Sequence, residues 1–211
     1  MMDVMRRLAK RALAERGEGD GQLVSLLFLS AFFFLGLLGG LLFAALGEAS
    51  PELSDYLGAY FQVAGTEGGW SPSPWSAVWE LIRWPVAALA LGFTTLGVFC
   101  VPALLLARGF LLSYSVCLFL RLFGVGGLLA ALVVFGVTAL FALPVLFAVG
   151  CESFRACLGR LGRYGEPARP SLRQYLATLV PSAGMIVAGA VAQCTLMPAL
   201  LDAVCARFFV S

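Results

Sequence analysis

Four stretches with no Asp, Glu, Lys or Arg dominate the chain: residues 23–46, 85–107, 122–150 and 174–201. Each can carry a helix across about 30 Å of hydrocarbon, which takes roughly 20 residues. A fifth stretch, 109–120, is uncharged but short. The runs are continuously apolar instead of alternating, which predicts membrane helices and not a barrel. With 61% hydrophobic and only 12% charged residues, the chain falls far from the roughly 25% charged content of a soluble domain. The expected fold class is all-α, a polytopic transmembrane helical bundle. The first run is longer than a signal-peptide core of about 7–15 residues, and is expected to stay as an anchor.

The net charge of +2 says little, but the placement of charge says more. Arg6, Arg7, Lys10, Arg11 and Arg16 precede the first run; Arg155, Arg160, Arg163, Arg169 and Arg173 lie between the last two. Basic segments stay in the cytoplasm, so both are expected inside. Residues 47–84 carry Glu48, Glu52, Asp55, Glu67 and Glu80 against Arg83 alone, and are expected outside. These sides require five spans, with the N-terminus in and the C-terminus out. The expected organisation is a cytoplasmic amphipathic N-terminus over 1–22 and one transmembrane domain over 23–211. That domain carries an extracytoplasmic loop at 47–84 and a cytoplasmic loop at 151–175. A re-entrant loop at 109–127 would leave four spans and put five arginines outside, against the charge rule.

Arg108 interrupts LLLARGFLLSYS, an otherwise uncharged stretch. A charge at the centre of a bilayer costs roughly 2.5 kcal/mol or more. The five-span count puts Arg108 at the cytoplasmic surface, in a tight turn that Gly109 eases. The third span then runs only from 109 to 123, about 22 Å, with Arg121 snorkelling outward near its end and GVGG at 124–127 turning the chain.

All four tryptophans, Trp70, Trp75, Trp79 and Trp84, fall in or at the end of the outer loop. Trp75 and Trp79 share a helical face. They suit an interfacial aromatic belt or a docking face for an extracytoplasmic partner. Residues 51–64 read as a short helix with Ser50 as N-cap and Pro51 at N1. It presents Tyr60 and Phe61 with Leu53, Leu57 and Ala64 on one side. The N-terminus places Met1, Val4, Met5, Leu8 and Ala12 opposite its basic residues, and is expected to lie on the lipids of the anionic inner leaflet.

Inside the membrane, Gly36 and Gly40 form a G-x-x-x-G pair, and Gly184, Ala188 and Ala192 make a small-residue ridge. Such ridges let helices approach closely, within the chain or between copies in a homo-oligomer. Pro102, Pro144, Pro181 and Pro198 should kink or end helices. Gln193 and Thr195 are expected to cross-link helices. The six cysteines match no zinc spacing and read as packing thiols.

Nothing in the chain forms a catalytic set. It has no histidine, no nucleophile elbow, no phosphate-cradling loop and no nucleotide fingerprint. No enzyme, cofactor, metal or nucleic-acid partner is expected. The outer carboxylates read as solvated charge.

The order of parts resembles the stage II sporulation protein M family of five-span membrane proteins. The shared parts are a basic N-terminus, a glycine-rich first span, an acidic outer loop with aromatic helices, and a Gly-turned return span with a late proline. The third span opens with RGFLLSYSV, residues 108–116. It is similar to a family pattern of basic–Gly–Phe, an apolar pair and Gly–Phe–Ser–Val, carried here by Arg108, Gly109, Phe110, Ser113 and Tyr114. Ser113 stands where glycine is expected and Tyr114 where phenylalanine is expected. The resemblance implies a non-enzymatic, multi-pass plasma-membrane anchor of the engulfment machinery. It would recruit stage II sporulation proteins P and D, which degrade septal peptidoglycan. A small permease or channel subunit is the alternative, and a membrane-embedded hydrolase a distant third.

Overall fold

The computed structural model describes the backbone of residues 2–47, 73–160 and 172–208, with side chains over 21–47, 73–160 and 177–200. These residues are almost wholly helical, with no strand among them. Helix α1 spans Met2–Leu46, α2 Pro74–Gly92, α3 Gly97–Ala131, α4 Val137–Arg160 and α5 Leu172–Phe208. A π-helical turn, Leu132–Gly136, joins α3 to α4. Three stretches are long and apolar enough to cross a membrane: Gly21–Leu46, Gly97–Arg160 and Ala177–Leu200.

The second of these is 64 residues long, far more than one crossing needs. It folds back on itself at Gly124, whose backbone (φ 59°, ψ −139°) is not helical. That combination belongs essentially to glycine. Beyond the break Ala130, Ala131 and Phe135 pack against Phe119. Further down, Gly150 meets Leu105 and Val101. The stretch is therefore an antiparallel hairpin of two membrane-length arms.

The turn expected at Arg108 and Gly109 is not there. Helix α3 runs through both residues, and the chain reverses at 93–96 instead. Ser73 caps the start of α2 through Ser76 N–H (3.2 Å), and α2 continues through Pro85 to Gly92, where the turn begins. Carbonyls at its end and in the turn, orphaned as at any helix end, are taken up by α4: the Arg160 guanidinium donates to Gly92 O, and the Cys157 thiol to Thr94 O at 3.1 Å. Cys157 thus packs and caps together. Residues 74–84, expected in the outer loop, form the first turns of α2. The third arm, expected to be a cramped 109–123, starts at Gly97 and reaches about 40 Å by Phe123.

The main core gathers Leu29 and Phe33 of α1, Ala88 of α2, Val101 and Leu105 of α3, and Val145, Leu146, Val149 and Phe154 of α4. A second cluster joins Ala77 and Leu81 of α2, Ala142 of α4 and Ala190 of α5. Outside these, Phe34, Leu38, Phe99, Leu140 and Val187 lie exposed, as suits a surface wetted by lipid. In lipid, burial of apolar area drives little; close packing and interhelical hydrogen bonds hold the helices. Both are present. Gln193 Nε2 donates to Thr138 Oγ1 at 2.9 Å, tying α5 to α4. Thr195 bonds its own helix at Val191 O. The Arg121 guanidinium donates to Ala44 O and Gly47 O, capping the end of α1 from α3. The prolines sit inside their helices and end none of them.

The N-terminal residues continue α1 as a single helix. The helix expected at 51–64, with Tyr60 and Phe61, and Trp70 lie outside the described residues.

Candidate functional site

The RGF motif and the G-x-x-x-G pair meet. Helices α1 and α3 run side by side in the same direction, and three glycines set their spacing. A Cβ on Gly36 would strike Leu106 O, one on Gly40 would strike Phe110 O, and one on Gly109 would strike Phe33 O. Only glycine brings the two backbones this close. Gly40 also touches Ser113, and Phe110 and Tyr114 stack on each other beside Phe43. Four motif residues, Gly109, Phe110, Ser113 and Tyr114, therefore build the α1–α3 seam. Gly109 serves close approach instead of a bend.

Arg108 points elsewhere. It follows Gly97 by about 17 Å and precedes Arg121 by about 20 Å along the helix. It sits level with Gly36, near the middle of the Gly21–Leu46 span. Its guanidinium carbon lies 5.5 Å from the centre of the Trp84 ring, and that of Arg83 lies 5.9 Å from the same ring. Arg83 and Glu80 are within electrostatic reach of Arg108, Arg83 more strongly. Among the described residues the one ion pair is Arg155–Glu152, within α4. Neither Arg83 nor Arg108 has a hydrogen-bond acceptor among the described residues, and the buried Trp84 Nε1–H has none there either.

This cluster is donor-rich. Two guanidiniums, always protonated, and an unpartnered indole N–H face one carboxyl group that reaches neither arginine. A cation–π contact returns about 0.5–2 kcal/mol. That falls short of the 2.5–3.5 kcal/mol that insertion scales assign to a mid-bilayer arginine. The cluster can bind an anion. It holds no nucleophile and no general base paired with an acid, and the described residues contain no group of His, Cys, Asp and Glu fit for a metal.

Trp75 and Trp79 are 77% and 60% exposed on the opening turns of α2. With Arg83 they form a ridge at four-residue spacing that runs toward the cluster. Gly184 has nothing within 4 Å and Ala188 is exposed, so this part of the α5 ridge packs on nothing among the described residues. Gly189 does that work instead, against Phe141 and Leu81. The acidic balance of 47–84 and the uncharged run from 85 assign Glu80, Arg83 and Trp84 to the outer loop, whereas the structure places them inside α2. The signal that places them on a helix was present: Trp75, Trp79 and Arg83 share one helical face, and a proline is tolerated inside a membrane helix.

A comparison with protein families matches residues 29–205 to stage II sporulation protein M. No curated protein and no solved structure matches the chain.

Proposed function

This chain belongs to the stage II sporulation protein M family, and from that premise we propose that it is a non-enzymatic membrane scaffold of the engulfment complex. In this reading it crosses the plasma membrane five times, N-terminus in and C-terminus out. It gathers peptidoglycan-degrading proteins, stage II sporulation proteins P and D, at the septal membrane. The family match over most of the chain carries the reading. The exposed Trp75 and Trp79 support it, because large aromatic rings left uncovered are what an interface uses as anchors. The donor-rich chemistry of the central cluster suits holding a partner better than turning over a substrate.

The test is affinity capture from membranes of sporulating cells with the full chain as bait. The hydrolases should come with it. Trp75→Ala together with Trp79→Ala should lower their recovery, because losing an anchor aromatic commonly costs about 2 kcal/mol, roughly thirtyfold in affinity. Membrane levels should be unchanged. Undiminished recovery by the double variant would reduce the rings to a bilayer belt.

One observation favours a second reading, a permease or channel subunit: Glu80, Arg83 and Arg108 stand where intramembrane charges mark solute pathways. Purified chain in liposomes that moves small anions faster than protein-free liposomes would support it.

A further inference from the structure

We infer that Arg83 and Arg108, gathered on Trp84, form an intramembrane receptor for a carboxylate carried halfway along a partner's transmembrane helix. Three observations converge on this occupant. The first is unmet donor capacity: among the described residues the Arg83 and Arg108 guanidiniums have no hydrogen-bond acceptor and no ion pair, and the Trp84 Nε1–H has no acceptor. Glu80 stays beyond ion-pair distance of both arginines. A planar guanidinium is suited to a carboxylate, which it grips through two parallel bonds.

The second is depth. Arg108 is level with Gly36, at the middle of the Gly21–Leu46 span. With a hydrocarbon core about 30 Å thick, lipid phosphates lie roughly 15 Å away on either side. An anion fixed at this level must be brought on something that itself crosses the membrane.

The third is the approach. Trp75, Trp79 and Arg83 are exposed at successive four-residue steps along α2, which is the spacing of one helical face. A partner helix lying along that ridge would meet tryptophan rings near the start of α2 and arginines at mid-depth. Opposite charge in the membrane interior gives both affinity and register, since a mismatched level leaves the charges unpaired. The inference rests on the scaffold reading for the existence of such a partner, though not for the chemistry of the site.

The experiment places the full chain in phosphatidylcholine nanodiscs. The probe is a synthetic leucine–alanine single-span peptide bearing one central glutamate, and association is read by energy transfer. The glutamate peptide should bind about tenfold or more tighter than its central-glutamine twin, in line with a charge pair formed out of water. Moving the glutamate to the first turn of the peptide should remove the advantage. Arg83→Gln, an exposed position that leaves the core intact, should cut the advantage severalfold, and Arg83→Gln with Arg108→Gln should abolish it. Glu80→Gln should keep or raise it.

Equal binding of the two peptides would overturn the inference, as would loss of binding on Glu80→Gln. So would loss of the advantage on adding phosphatidylglycerol, because a lipid headgroup would then own the site. The two readings fail separately. Hydrolase capture that survives the double arginine variant overturns the receptor and leaves the scaffold. Peptide discrimination without any hydrolase capture leaves the receptor and sinks the scaffold.

Discussion

Gly36, Gly40 and Gly109 each stand where a side chain would run into the backbone of the opposite helix. A backbone cannot give way as the tip of a side chain can. Gly36→Leu or Gly109→Val should therefore cost at least the 1–3 kcal/mol or so typical of overpacking. It should be read as a lower thermal midpoint in detergent. Gly184→Leu should leave that midpoint unchanged, because nothing lies within 4 Å of its Cβ position. Equal losses at both sites would contradict the α1–α3 seam. Arg108 should behave in the opposite way from a packing residue. Replacing an unpaired guanidinium by an apolar side chain of similar reach removes a desolvation cost. Arg108→Leu should stabilise the protein, by the roughly 2.5–3.5 kcal/mol of insertion scales less the about 0.5–2 kcal/mol of the lost Trp84 contact, while lowering hydrolase capture. A stabilised but inactive variant is the mark of a residue kept for function. A destabilised one would mean that the contact with Trp84 holds the fold.

Among the elements, the apolar runs at 23–46 and 174–201 were legible from length and composition alone, and the return arm was legible from GVGG, with Gly124 as its hinge. The boundary between the second and third spans was not. A lone arginine is read as a surface marker because charge is costly in lipid, and that rule moved the turn from 93–96 to Arg108. The weaker marks of the true turn were Thr94 and Thr95 between Gly92 and Gly97. Their force comes from α4, whose Cys157 and Arg160 satisfy the exposed carbonyls, a contact that no local pattern announces. The same holds for Arg121. It caps α1 at Ala44 and Gly47 from 74 or more residues away in the chain, a partner that no local pattern names. Arg121→Ala should loosen the end of α1 at a cost of about 1 kcal/mol, the usual scale of a lost cap or helix-end charge. The readout is faster amide exchange at residues 44–47, with exchange in α4 unchanged.

At the scale of the whole molecule, charge asymmetry predicts sidedness, and glycine ridges predict that helices meet. Neither says which helices do. Gly36 and Gly40 could have served a second copy of the chain, and instead receive RGF from α3. That pairing leaves Arg108 on the other side of the helix, against Trp84 of α2. The receptor depends on α3 carrying Arg108 through the centre of the membrane instead of to its surface. The most direct measurement compares single cysteines introduced at Thr95, in the 93–96 turn, and at Leu111, exposed three residues beyond Arg108. Each is probed in sealed inverted vesicles and in intact cells with a membrane-impermeant maleimide, against the native chain as background. Thr95→Cys should label in one of the two preparations, and Leu111→Cys in neither. Labelling of Leu111→Cys at a rate matching Thr95→Cys, from the same side, would return Arg108 to a surface turn and contradict the account.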